Sequence, residues 1–219
     1  MKIELAGEAL QLLPERALWW PAQRTLFVAD LHLGKAASFR RLGQPVPHGT
    51  TVDNLDRLSA LIECHAPRRL VFLGDFLHAA PAQAPRQIEP VARWRALHGT
   101  LDCVLVRGNH DRHAGDPPAA LAINIVNEPW PLEGDRLAAC HHPQTISGLG
   151  VLAGHWHPAV RLRGPAHDRQ RLPCFCLREG LLVLPAFGAF TGGSSQPLPA
   201  DALCFPVGGG RVWPAVPPA

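Results

Sequence analysis

Seven polar side chains stand out for the chemistry they could do together: Asp30, His32, Asp75, Asn109, one of His141 and His142, His155 and His157. Carboxylate oxygen, amide oxygen and imidazole nitrogen are the donors of a site for two divalent metal ions, and no thiolate is needed. That mixture suits manganese, iron, zinc or cobalt better than a soft thiolate site or a purely oxygen-ligated magnesium or calcium site. Asp30 and His32, like His155 and His157, are two apart, so on an extended chain both side chains of a pair project to one side.

Each of these residues follows an apolar run. The clearest case is Val104-Leu105-Val106, which stops at Arg107-Gly108 and then presents Asn109, His110 and Asp111 together. Such a run reads as a strand covered on both faces, with the glycine permitting a sharp exit. Alone, Gly-Asn-His-Asp fits an ordinary turn. The same grammar recurs, however, in Thr25 to Ala29 before Asp30-Leu31-His32, in Leu70 to Leu73 before Gly74-Asp75, in Leu137 to Cys140 before His141-His142-Pro143, and in Gly150 to Ala153 before Gly154-His155-Trp156-His157. In open α/β sheets the ligand site lies beyond the carboxyl ends of the strands, so five such ends can converge.

The elements that must position them follow from periodicity. Apolar residues at Val52, Leu55, Leu58, Leu61 and Ile62 predict a helix over Thr51 to His65, with Thr50-x-x-Asp53 resembling a capping box. Ile88, Val91, Trp94, Arg95 and Leu97 predict a second helix. Two β-α-β crossovers result, preceded by short edge strands around Leu10 to Leu13 and Ala17 to Trp20. The second half changes character: Ile123 to Val126, Leu137 to Cys140, Val151 to Ala153, Val160 to Leu162, Pro173 to Leu177, Leu181 to Leu184 and Leu203 to Val207 follow too closely for helices. A second, mostly antiparallel sheet packed on the first would bury them, in an α/β/β/α arrangement.

With 219 residues, 47% hydrophobic and 18% charged, the chain is expected to form one domain over 1–213 with a frayed tail at 214–219. No apolar run approaches membrane-spanning length and the start lacks a signal-peptide core, so a cytoplasmic location is expected. The six cysteines read as reduced core residues, although Cys174 and Cys176 would share a strand face. A net charge of +3 does not by itself call for a nucleic acid.

The motifs D-x-H, G-D, G-N-H-D, H-H-P and G-H-x-H, in this order between residues 30 and 157, resemble the signature of the calcineurin-like metallophosphoesterases. The resemblance implies an α/β fold, a four-layer α/β/β/α sandwich of two packed mixed sheets. It implies that Asp30, His32 and His157 bind one metal ion and Asn109, His141 and His155 the other, with Asp75 bridging. His141 is taken over His142 because it directly follows the strand. Two ions roughly 3.5–4 Å apart can hold a hydroxide and clamp a phosphate for in-line attack. His110 would then protonate the leaving alkoxide, and Asp111 would orient His110. His78 departs from the arginine found in the protein-phosphatase branch, and is a candidate for contacting the phosphate.

Asp30 to Lys35, Phe39 to Gly43, Gly74 to His78, Cys140 to Pro143, Gly154 to Pro158 and Leu184 to Gly193 together resemble the bacterial ligase-associated phosphoesterases of the PdeM type. That resemblance implies a manganese-dependent DNA endonuclease in DNA-damage repair, functionally associated with an ATP-dependent DNA ligase and a helicase. Lys35, Arg40, Arg41, Arg107 and Arg112 lie near motif ends where phosphates of a single strand would thread, and Phe39 and Trp156 could stack on bases. A small-molecule phosphodiesterase or nucleotide pyrophosphatase would use the same metal site. A non-catalytic scaffold would be expected to have lost ligands. His48, His65, His98, His113 and His167 belong to no motif and are expected at the surface.

Overall fold

The computed structural model describes residues 1–46, 49–163, 169–194 and 196–218; His48 and His167 lie outside them. Three antiparallel strands, β1 (Lys2–Leu5), β2 (Glu8–Leu12) and β3 (Leu18–Trp20), lead into β4 (Thr25–Val28). Helices α1 (Lys35–Arg41) and α2 (Thr50–His65) then cross to β5 (Arg69–Phe72), parallel to β4. Helix α3 (Pro85–Leu97) crosses to β6 (Asp102–Val106), and α4 (Asn109–Ala114) precedes β7 (Asn124–Val126), both strands again parallel. The first sheet therefore runs β1-β2-β3-β4-β5-β6-β7.

Two local expectations change here. Thr50 is the first residue of α2 and not its cap; Gly49, at φ 88°, holds the cap position and, being glycine, has no side chain with which to bond the helix end. The run Ile123 to Val126, expected in the second sheet, supplies β7 of the first. The connection after β6 is long enough for a parallel crossover, and an apolar run carries no mark of which sheet edge it will join.

The second sheet comprises β8 (Trp130–Pro131), β9 (Leu137–Ala139), β10 (Gly150–Ala153), β11 (Ala159–Arg163), β12 (Arg169–Arg178), β13 (Leu181–Val183), β14 (Leu203–Gly208) and β15 (Arg211–Val212). Its order is β15-β14-β12-β13-β10-β9-β8, with β11 paired to the leading half of β12. The inner trio β9-β10-β13 is parallel and the other pairs are antiparallel.

Alternation along each strand divides the first sheet's side chains between two cores. Leu26, Val28, Leu70, Phe72 and Leu105 pack beneath Leu55, Leu58, Leu61, Val91 and Trp94 of the helices. Phe27, Ala29, Val71, Leu73, Val104 and Val106 face Leu137, Ala139, Leu152, Phe175, Leu182 and Leu184 of the second sheet. At roughly 1.5–3 kcal/mol per large buried side chain, this inter-sheet core is what holds the five motif strand ends level. Val52 and Leu97, despite their helical spacing, are exposed.

The molecule is thus two packed mixed sheets with helices. The helices cover only the first sheet. Among the described residues no α-helix follows α4, and the outer face of the second sheet is covered by Ile146, Trp156, Leu198 and Ala202 from connecting segments. Gly192, Gly193, Pro197 and Pro199 explain why: this segment is poor material for a helix, so the fourth layer is loop. The tail also differs from expectation. Val216 exchanges two backbone hydrogen bonds with Cys204, at 2.8 and 2.9 Å, and packs beside it. Cys174, Cys176 and Cys204 are buried free thiols on β12 and β14.

Candidate metal centre

The residues that follow β4, β5, β6, β9 and β10 meet at one edge of the sandwich. Backbone bonds fasten the first two loops and the late loop together: His32 N–H donates to the Asp75 carbonyl (2.8 Å), Leu33 N–H to Phe76 (2.9 Å), and Phe187 N–H to Ala29 (2.8 Å). Asp30, His32, Asp75, His155 and His157 all take left-handed backbone conformations, with φ between 47° and 68°. Each such residue costs of order 1–3 kcal/mol, and strain of this kind gathers at functional sites. It also corrects the extended geometry expected of the two D-x-H and H-x-H pairs. His155 and His157 turn toward different partners.

One focus is Asp30, His32 and His157. His32 Nε2 lies 3.4 Å from His157 Nε2, and His157 Nε2 lies 3.5 Å from an Asp30 oxygen. The other focus is His141 Nε2, which faces Asn109 Oδ1 (2.9 Å), His155 Nδ1 (3.1 Å) and an Asp75 oxygen (3.4 Å). Asp75 stands between them, its second oxygen 3.6 Å from His32 Nε2. Both carboxylates are buried. Imidazole nitrogens aimed at one another and at buried carboxylates leave like groups in contact unless cations fill the gaps. This donor set, all nitrogen and oxygen, fits two divalent ions of the manganese, iron, zinc and cobalt group.

The supports of these groups are specific. His141 Nδ1–H donates to the Leu73 carbonyl (3.0 Å), which leaves the Nε2 lone pair directed inward. His142 is turned to Glu128 (2.6 Å) at the rim, where it closes a further set of donor atoms with His141 and His155. Glu128 also accepts the backbone N–H groups of both histidines, at 2.7 and 2.8 Å. No spacing in Asn127-Glu128-Pro129 marks it; only the pairing of β8 with β9 brings it to His141. Glycines leave the necessary room: a Cβ on Gly154 would stand 2.9 Å from an Asp30 oxygen, and one on Gly108 would stand 2.4 Å from an Asp75 oxygen.

The remaining expected residues divide. His110 Nδ1–H donates to the His78 carbonyl (2.8 Å), its backbone N–H donates to Asp75 (2.9 Å), and its ring packs edge-on to His32. His78 stacks on His110, with ring centroids 5.0 Å apart. Lys35 stands at the start of α1, its ammonium donating to the Thr191 carbonyl (3.2 Å) and close enough to feel Asp30 and Asp75. Arg40 is on α1 and Arg112 is exposed on α4.

Asp111 and Arg107 do not do what was expected. Asp111 is wholly buried and accepts from the N–H groups of Gly108 (2.9 Å), Phe76 (3.0 Å) and Leu77 (3.1 Å), tying two ligand loops together without touching the His110 ring. Arg107 is spent on Asp116, in a bidentate pair at 2.8 and 2.9 Å, and on Asn127. Phe39 packs edge-on against Phe190, and Trp156 against the outer core. His65 and His98 are half-buried against Trp19 and Trp94.

Burial sets the electrostatics of the metal-free centre. It pushes His32 far below the usual imidazole range, and His78 and His155 down to about 4, with neighbouring cationic groups adding to the effect. Burial likewise raises Asp75. The sign for stability follows: these histidines bind protons more readily when unfolded, so the folded state is favoured above about pH 6.5 and loses ground as the pH falls toward about 4. Thermal melts in chelator across that window are expected to drop steadily with acid. A flat profile would mean the rings are solvated in the metal-free protein.

This fold, with this cluster at its strand ends, is that of a metal-dependent phosphoesterase. The chain belongs to the calcineurin-like phosphoesterase family, whose model matches residues 23–160. At 47% identity over 98% of each chain, with a TM-score of 0.85, it is similar to the nuclease MPE of Pseudomonas putida. A phosphoesterase from E. coli, Yfce, matches at 18% identity over 89% of this chain and 99% of its own, with a TM-score of 0.43. No curated protein matches.

Proposed function

We propose that the chain is a manganese-dependent DNA endonuclease acting on single strands, in bacterial DNA repair in the cytoplasm. The observation that carries this reading is the 47% identity, over 98% of both chains, to a nuclease. We assign Asp30, His32 and His157 to one ion, Asn109, His141 and His155 to the other, and Asp75 to both. Two divalent ions there supply water activation and neutralise the charge of the phosphate under attack.

The chain's own residues do the rest. Lys35 adds a cation beside the carboxylates and grips a phosphate oxygen. His110, anchored through Nδ1 on the His78 carbonyl, presents Nε2 and delivers its proton to the departing oxygen. His78, stacked on that ring, holds its plane and is neutral at pH 7. Asp111 positions the Asp75 loop against Gly108. Arg40 and Arg112 contact more distant phosphates. On the motif resemblance, the reading extends to a functional association with an ATP-dependent DNA ligase and a helicase.

The test is cleavage of a labelled single-stranded DNA circle with manganese and with magnesium. Linearisation that requires manganese supports the reading. Hydrolysis of bis-p-nitrophenyl phosphate with the circle left intact sinks the DNA assignment in favour of a small phosphodiester. In the same assay His110→Ala is expected to slow turnover about 10²–10⁴-fold with metal content unchanged, which metal analysis of the purified variant checks.

A further inference from the structure

Strands β11 and β12 form a two-stranded ribbon whose register pairs Arg161 directly with Arg171 and Arg163 with Arg169. Like charges facing one another across an antiparallel pair oppose its formation. The other face carries Val160, which is buried, and Leu162, packed beside Cys174 and Cys204, with Leu172 and the exposed Gln170 opposite them. Among the described residues, Arg161, Arg169 and Arg171 have no hydrogen bond or ion pair, and all three are exposed. Arg57, Arg68, Arg69, Arg95, Arg107 and Arg178 bond carboxylates or carbonyls, whereas Arg41, Arg86 and Arg112 are likewise exposed without a bond among the described residues but do not stand opposite one another on a strand pair.

This stripe leads to the metal centre. Arg161 and Arg171 line a cavity of about 150 Å³ with Ser194 and Gln196. The same two polar residues, with Gly193, line an adjoining cavity of about 390 Å³ whose other wall is His155, Trp156 and His157. Gly193 lets this loop close on the ribbon: a Cβ there would stand 2.7 Å from the Cβ of Ala159, the first residue of β11. One groove therefore runs from the candidate ligands His155 and His157 to the ribbon. Two residues of strand advance roughly 6.6 Å, close to one nucleotide of an extended strand.

We infer that the arginine face of the β11–β12 ribbon is a phosphate-binding track that holds the DNA strand on one side of the scissile bond. The inference rests on the nuclease reading above. Planar guanidinium forks suit phosphate oxygens, and the unpaired row is tolerated because the ligand brings the counter-charge.

The test measures single-stranded oligonucleotide affinity across a salt series, and cleavage of a long oligonucleotide against a dinucleotide, for wild type, R161Q/R171Q and R161K/R171K. Each phosphate contact on a single strand adds about 0.7 to the salt slope, so R161Q/R171Q is expected to be shallower by about 1.4. Across a fourfold rise in salt its affinity then falls about sevenfold less than that of the wild type. Its preference for the long substrate shrinks, and R161K/R171K keeps the wild-type slope. If R161Q/R171Q fails to fold, the single R169Q variant reads the same track with a change of about 0.7. A wild-type slope and length preference in the glutamine variants, with DNA still cut, overturns the track and leaves the nuclease reading standing. A wild type that hydrolyses bis-p-nitrophenyl phosphate but neither binds nor cuts DNA overturns both.

Discussion

An Asp75→Asn protein is expected to lose about 10⁴-fold or more in turnover while folding at least as well as the wild type in chelator. Asp75 is the group that reaches both foci, with one oxygen toward His141 and the other toward His32. Charge stabilisation by a catalytic metal is worth several kcal/mol, and each 1.36 kcal/mol is tenfold in rate. Asparagine keeps the volume and still accepts the His110 backbone N–H, so the loop holds its shape. It also removes a buried carboxylate whose proton affinity is raised by burial and by the neighbouring Asp30 when no cation is bound. Activity and metal-free stability should therefore move apart. Turnover within tenfold of the wild type would remove Asp75 from the metal assignment, and a lower melting temperature in chelator would mean its charge is structural.

Gly74→Ala is expected to inactivate without changing any chemical group. At φ 77° glycine is the residue the backbone tolerates, and an added Cβ would stand 2.1 Å from His141 Nδ1 and 2.5 Å from its Cγ. The imidazole would have to leave the Leu73 carbonyl that aims its Nε2 at Asn109. Left-handed strain of about 1–3 kcal/mol and overpacking of about 1–3 kcal/mol together predict a fall in melting temperature of roughly 10 °C. Metal affinity falls with it, since a displaced ligand is a lost one. Calorimetric metal titration and thermal melts decide the matter. A variant that melts early yet binds metal normally would show that His141 is not needed for the ions.

Much of this was legible in the residues because buried strands announce themselves. Leu70 to Leu73 and Val104 to Val106 are continuous apolar runs, and the polar residues that follow each run are those the structure brings together. What stayed hidden depends on direction. Arg107 lies beside the G-N-H-D motif, but its side chain turns away to Asp116. Asp111 belongs to the same motif and points into the protein, where three backbone N–H groups wait for it. Adjacency along the chain says nothing of either choice. Nor does an alternating Val160-Arg161-Leu162 reveal that Arg161 will stand opposite Arg171 across the ribbon, since register comes from the turn and the partner strand. Glu128 and the docking of Val216 are of the same kind, being contacts between segments that no local pattern connects.

The centre joins residues that stand 125 positions apart in the chain, such as His32 and His157. The strands of the first sheet are all synthesised once Val126 has been added, whereas His157 comes about 31 residues later. At about 5–20 residues per second, that is an interval of roughly 2–6 s on the ribosome. Until then Asp30 and His32 lack the third member of their cluster, and the second-sheet strands that pack beneath the motif ends are not complete. A chain stopped before His157 therefore lacks one of the three side chains gathered at the Asp30 focus, whatever else of it has been made.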